Sequence, residues 1–312
     1  MTMRIAAVQF HIDHKNKESN WDRVEEYMAK ASDFKVDLIV FPEYFIGGPG
    51  KRSVIKGGTE RCQALARKYN MDLVPGTIIE MDREDGNLYN CSYYIDKSGK
   101  ILLEYRKFHL WHPERSYLSH GQKGFNTAVN RFGLIIGMCV CWDIAFPEVF
   151  RYLTQEKKAQ LVITPAYWSM EDCGELGLKH DLQSEVKLLN NLCMTRAFES
   201  EICMVFCNGA AESAVSRPQP FGNLAGRTQI TVPFKGPIAH CDHAKEEMIV
   251  AEVNVKQLTD DAEKVYQIRK DWREGRVFGG AKKEEIVHQP DDGKQQQQQQ
   301  QKQPVYLTES KL

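Results

Sequence analysis

The sequence predicts a single α/β domain over residues 1–280, and three observations predict it. Short apolar runs recur, among them 36–41 (VDLIVF), 132–139 (FGLIIGMC) and 202–208 (ICMVFCN), as strands buried on both faces require. Segments with helical spacing alternate with them. No change of composition interrupts that alternation before about residue 280. In order, residues 4–10 alternate and are β-rich, 20–32 carry helical spacing, and 36–41 form a doubly buried strand. Residues 62–69 read as helix, 72–80 as one strand, and 88–95 with 101–105 as a hairpin around KSGK. After the strand 132–139, Pro147 stands where a first helical residue is favoured. Then come a strand at 161–164, a helix at 184–200, a strand at 202–208, and late strands at 227–232 and 248–253.

Of 312 residues, 42% are hydrophobic, and 41 Lys+Arg face 42 Asp+Glu for a net charge of -1. That balance excludes a broad basic footprint, and with it nucleic acid or an anionic membrane surface as partner. No apolar run reaches the ~18 residues of a spanning helix. The opening MTMRIAAVQF reads as a strand, without the longer apolar stretch and small-residue cleavage site of a signal peptide. Nine cysteines form no paired framework, and several sit in apolar runs as small buried hydrophobes, so a reducing compartment is expected. Residues 281–312 read as a flexible tail: AKKEE, PDDG and seven consecutive glutamines from Gln295 hold too little apolar surface to order themselves. The tail ends in Ser310-Lys311-Leu312, a peroxisomal import address, so the expected location is the peroxisome and the expected partner its import receptor.

Three segments place a reactive side chain at a strand end. In VDLIVFPEYFIGG, Glu43 follows a buried strand, where partial desolvation raises a carboxylate's pKa and suits it to be a base. In EYRKFHLWHPERSYLSHG, Lys107 directly follows a strand and can present a fixed charge to an oxyanion; Glu114 lies seven residues on. In FGLIIGMCVCWDIAFPEVFR, an apolar strand ends at Cys141 and bends toward a helix, as a strand-end nucleophile requires. Cys139 lies deeper in the run and reads as packing. Each residue alone fits a structural role; a base, a cation and a thiol together fit acyl transfer.

FPEYF, YRKFHL and CWDIAFPE, in this order, resemble the three signatures of the nitrilase (carbon–nitrogen hydrolase) superfamily. The resemblance runs from about residue 3 to 275 and includes RIAAVQF, LVITPAYW and RAFESEICMVFCN. It implies a four-layer α-β-β-α sandwich, a homodimer or higher homo-oligomer, and a catalytic triad of Glu43, Lys107 and Cys141. Glu114 matches an additional glutamate of many members. In the implied reaction Cys141 attacks a small amide, carbamoyl or nitrile carbon and Glu43 moves the protons. Lys107 and the Trp142 backbone N–H stabilise the charged intermediate. The CWD–FPE signature resembles amidase and carbamoyl-amidase branches, whereas the Lys107–Glu114 spacing resembles nitrilases. An acyl-transferring enzyme and a catalytically silent assembly protein complete the readings. Tyr44, Tyr117, Trp168 and Trp111 are candidate pocket aromatics. Ala145 stands where many members carry an arginine near the pocket. The segment SMEDCGELGLKHDLQSEVK reads as a rim insertion whose Glu171, Asp172 and Glu175 are ordinarily solvated. No cofactor or metal is called for, since HCDH at His240–His243 matches no structural zinc spacing.

Overall fold

Strand pairing sorts the apolar runs into two sheets. The computed structural model describes residues 1–211 and 223–278, so the Gln-rich tail and the terminal Ser310-Lys311-Leu312 lie outside the described residues. In the first sheet β1 (Met3–Gln9), β2 (Leu38–Val40) and β3 (Asp72–Val74) run parallel. Beside β3 lie β4 (Ile78–Met81), β5 (Leu88–Ile95) and β6 (Ile101–Arg106). The second sheet is built from β7 (Thr127–Val129), β8 (Ile135–Met138), β9 (Leu161–Ala166), β10 (Cys203–Asn208), β11 (Gln229–Val232) and β12 (Gly236–His240). Its centre, β8-β9-β10, is parallel. β13 (Glu247–Val253) closes the first sheet antiparallel to β1.

The two-residue period of a strand decides what each face meets. Ile5, Ala7, Leu38, Val40 and Val74 point into a core shared with Met138, Ile163 and Val205 of the second sheet. Their neighbours Ala6, Val8, Ile39 and Leu73 face the other way, onto α1 (Lys17–Asp33) and α2 (Gly58–Tyr69) through Trp21, Val24, Met28 and Leu65. The outer face of the second sheet is covered by α5 (Ser184–Glu199) and α6 (Val255–Tyr266), with Leu189, Cys193, Ala197 and Val255 buried there. The result is the α-β-β-α sandwich. Cys207 joins the halves, its thiol donating to the carbonyls of Val8 and Val40 at 3.2 and 3.4 Å.

Residues 72–80 are two strands, not one. They part at Gly76, whose φ is +66° and where a Cβ would lie 1.8 Å from the Pro42 carbonyl oxygen. Only glycine fits that approach. The sequence reading also lacked β7, β12, α6, α4 (Gly174–His180) and α7 (Ile268–Arg273). α4 buries no residue and so shows no apolar period, whereas α6 carries Val255, Leu258, Ala262 and Val265 at helical spacing, a period the sequence does show. Pro147 does open a helix, α3 (Pro147–Arg151).

Candidate active site

Side chains far apart in the chain meet where the carboxyl ends of the parallel strands come together, the usual place for a site in such sheets. Past β2, the Glu43 N–H donates to the Ala166 carbonyl at 3.2 Å and the Tyr44 N–H donates to Thr77 Oγ1 at 2.9 Å. The first bond ties this turn to the end of β9 in the opposite sheet. The Glu43 carboxylate is satisfied on both oxygens: Oε1 accepts from Lys107 Nζ at 2.8 Å and Asn90 Nδ2 at 2.7 Å, and Oε2 from the Tyr167 N–H at 2.9 Å.

Lys107 follows β6 and is held by its backbone, its N–H donating to the Asn90 carbonyl at 2.9 Å and its carbonyl accepting from the Gly121 N–H at 3.0 Å. Its Nζ makes a second ion pair, to Glu114 Oε1 at 2.9 Å. Glu114 Oε1 also accepts from the Tyr44 hydroxyl, and Oε2 from the Trp111 N–H at 2.6 Å. Lys107 and Glu43 are each 1% exposed, so two carboxylates and one ammonium share a desolvated space with one negative charge in excess.

Cys141 leaves β8 with φ +47°, in the left-handed region, and begins a tight turn running to Ala145. A non-glycine residue held there costs about 1–3 kcal/mol, so the surroundings must fix it. Asp143, fully buried, does much of this. Its Oδ2 accepts from the Val140 N–H at 2.8 Å and the Tyr105 hydroxyl at 2.6 Å, and its Oδ1 accepts from the His109 N–H at 3.1 Å. His109 Nδ1 lies 2.7 Å from the same Oδ1, with its ring stacked on Phe146. One carboxylate thereby pins both the cysteine turn and the loop after Lys107. From α5, Arg196 Nε donates to the Ile144 carbonyl at 3.0 Å.

Burial pushes Glu43 up to about 7, with the Lys107 ammonium opposing and the Glu114 carboxylate adding to the rise. Burial also drives the Cys141 thiol well above its usual range, the Glu43 carboxylate reinforcing this and Lys107 opposing it. Burial works against the charge on Lys107, but Glu114 and Glu43 outweigh it, so the ammonium is firmly held. The resting site therefore keeps its proton on sulfur beside a carboxylate that titrates near neutrality.

These groups open onto a cavity of about 350 Å³. Glu43, Lys107, Cys141 and Glu114 all line it, as do Tyr44, Trp111, Tyr117, Trp142 and Trp168. The sequence-selected side chains are thus brought together. Cys139 is fully buried, its Sγ 3.1 Å from Thr164 Oγ1, outside the cavity lining. Ala145 is not part of the lining either, and its carbonyl accepts from Arg196 Nη2 at 3.3 Å. Glu171 and Asp172 of the rim segment are lining residues rather than merely solvated ones, while exposed Glu175 is not. Asn90, Tyr167 and Asp143 went unread in the sequence. Asn90 sits mid-strand and Tyr167 acts through its backbone, which no side-chain pattern announces; Asp143 inside CWDIAFPE and Tyr167 inside LVITPAYW did lie in motifs the resemblance includes.

A family model described as carbon–nitrogen hydrolase matches residues 4–263. The 2-oxoglutaramate amidase of Bacillus subtilis is 27% identical over 284 residues, covering 87% of this chain and 99% of that protein. A deaminated glutathione amidase of Dictyostelium discoideum is 32% identical over 193 residues, 54% of this chain and 65% of that one. Among solved structures, Saccharomyces cerevisiae Nit3, a member of branch 10 of the nitrilase superfamily, aligns with TM-score 0.70 at 25% identity, over 85% of this chain and 94% of its own. An amidase from Nesterenkonia sp. AN1, carrying the acetamide moiety of fluoroacetamide on its active-site cysteine, shares the fold with TM-score 0.68 at 20% identity, over 86% and 96% of the two chains.

Proposed function

The chain belongs to the carbon–nitrogen hydrolase family, and we propose that it hydrolyses a small linear amide to acid and ammonia through a thioester on Cys141. The observation that carries this reading is Lys107, clamped between Glu43 and Glu114 beside a cysteine held at positive φ on an aromatic-walled cavity. The amidase relatives support amide over nitrile as substrate.

Because burial and Glu43 keep the thiol protonated, proton loss accompanies attack. As Sγ bonds to the amide carbon, its proton passes to Glu43 and the carbonyl oxygen takes up negative charge. That oxygen is met by Lys107 Nζ and by the Trp142 N–H, which lies at the start of its turn where amides have no partner within the helix. The C–N bond then breaks. Glu43 returns the proton to nitrogen, ammonia departs, and the acyl group stays on sulfur. Water adds to the thioester with Glu43 taking its proton, the acid leaves, and the thiol is restored. Glu114 holds Lys107 and Tyr44 in place throughout. For location, Ser310-Lys311-Leu312 supports delivery to peroxisomes, which deleting that tripeptide would abolish in cells.

The test is ammonia release from matched amides and nitriles, with the intact mass of the protein followed during turnover. An amide-dependent acyl mass on the peptide holding Cys141, absent in Cys141→Ala, is the expected result. Ammonia from nitriles alone, or release undiminished in Cys141→Ala, would overturn the reading.

A further inference from the structure

The cavity has a charge that the chemistry at Cys141 does not use. Four carboxylates line it, Glu43, Glu114, Glu171 and Asp172, against one cation, Lys107, among the described residues. Lys107 is already committed to Glu43 and Glu114. Among the described residues, Glu171 and Asp172 accept hydrogen bonds from neutral donors only. Asp172 Oδ1 and Oδ2 accept from the Ser169 hydroxyl and N–H, each at 2.9 Å, and Glu171 accepts from Asn223 Nδ2 and N–H at 2.6 and 2.7 Å.

The same cavity is lined by three adjoining indole rings. The Trp142 ring lies 4.6 Å from that of Trp111 and 5.6 Å from that of Trp168, centroid to centroid. Trp168 is fixed by its indole N–H, which donates to the buried Glu185 carboxylate, and by its backbone N–H on Asn208 Oδ1 at 2.8 Å. Indole faces are the negative side of the ring quadrupole, so they attract cations and disfavour carboxylates. Burial pushes Asp172 up to about 6, and the charged neighbours that add to the rise, Glu185 and Glu171, are both carboxylates. A positive group entering there would relieve that repulsion, and a negative one would deepen it.

We infer that the amide bound here carries a positive charge, an ammonium, at the end remote from its carbonyl, seated against the Trp142–Trp168 wall and paired with Asp172. This rests on the amidase reading above and names its substrate class. A volume near 350 Å³, at the small end of ligand pockets, limits the amide to a short chain. Asp172 is in this role a specificity-determining residue that takes no part in bond making.

The experiment compares three amides of one length on the full chain at neutral pH: 4-aminobutanamide, butanamide and succinamate, scored by ammonia released. The cationic amide is expected to exceed the neutral one in kcat/KM by about tenfold, mostly through KM, and the anionic one to fall below both by a similar factor. Asp172→Asn is expected to shrink the cationic-to-neutral ratio by about tenfold. Raised salt should narrow the spread, since part of the discrimination is Coulombic. The order in the unaltered protein decides the matter even if the variant folds poorly. Succinamate as the best substrate, or a ratio untouched by Asp172→Asn, would overturn the inference. Hydrolysis of butanamide that depends on Cys141 but shows no preference for the cation would sink this inference and leave the amidase reading standing. Release from none of the three, with no acyl mass on Cys141, would take down both.

Discussion

Cys139 follows its strand against Thr164 on the face of the second sheet that α5 covers, whereas Cys141, two residues on, turns left-handed and lines the cavity. Both are buried, and burial raises both thiols. Accessible area therefore does not separate the packing sulfur from the reactive one, and neither does a low resting pKa. The difference lies in what each sulfur faces. Beside Cys139 are the Thr164 hydroxyl, the buried Asp143 carboxylate, and Cys193 and Arg196 of α5, and the cavity does not reach it. Beside Cys141 are a carboxylate that titrates near neutrality, an ammonium with two counterions, and empty volume.

Cys141→Ala breaks this comparison most severely. Turnover should fall by at least ~10⁴-fold, as when a nucleophile is removed, while the melting temperature stays close to that of the unaltered protein. Steady-state ammonia release with thermal unfolding checks both halves. Next in size is Lys107→Met. It strands Glu43 and Glu114 as buried carboxylates without their cation, which should cost about 3–5 kcal/mol in urea unfolding. It also removes an oxyanion donor, worth about 10²–10³ in kcat. A variant that lost the stability but kept the rate would place Lys107 in the frame and outside the chemistry.

The environment of Glu43 sets a third, smaller effect with a definite sign. The free enzyme needs Glu43 ionised to accept the thiol proton, so kcat/KM should drop about tenfold per pH unit below about 7. For stability, folded Glu43 keeps its proton up to about 7 while the unfolded chain releases it near 4.5. Between those values the folded state binds more protons, so this group's contribution declines as pH rises through the window. The penalty is absent below 4.5 and complete above about 7. Unfolding titrations of the unaltered protein and Glu43→Gln should diverge across that range. Parallel curves would show that Glu43 is not desolvated as described.

Much of this was legible in the sequence, and the boundary is physical. VDLIVF and FGLIIGMC announced strands with two buried faces because their residues are apolar almost throughout, Asp37 at one strand entrance apart, and Glu43, Lys107 and Cys141 stood out because each follows a strand. What the sequence withheld depends on backbone geometry. The break at Gly76 comes from a close approach to Pro42, a residue distant in the chain. Tyr167 serves Glu43 through its N–H, which any non-proline residue supplies. Asp172 looked like one of several rim acids, and only the path of the chain after β9 separates it from exposed Glu175. α4 was invisible because it buries nothing.

The smallest expected effect sharpens the comparison from its other side. Cys139→Ala removes a fully buried sulfur and leaves the Thr164 hydroxyl without its partner. Losing that packing together with the contact should cost about 1–3 kcal/mol, because the small cavity can close only in part. For a chain of this size that is a drop of a few degrees in Tm, on the order of 2–8 °C. kcat/KM on the best amide should stay within about twofold, since Cys139 touches neither the cavity nor any residue that lines it by hydrogen bond. If instead the rate fell tenfold at unchanged KM, the packing of β8 would be shaping the Cys141 turn. The contrast between the two cysteines would then be one of degree, with the layer between the second sheet and α5 acting as part of the machinery that aims the nucleophile.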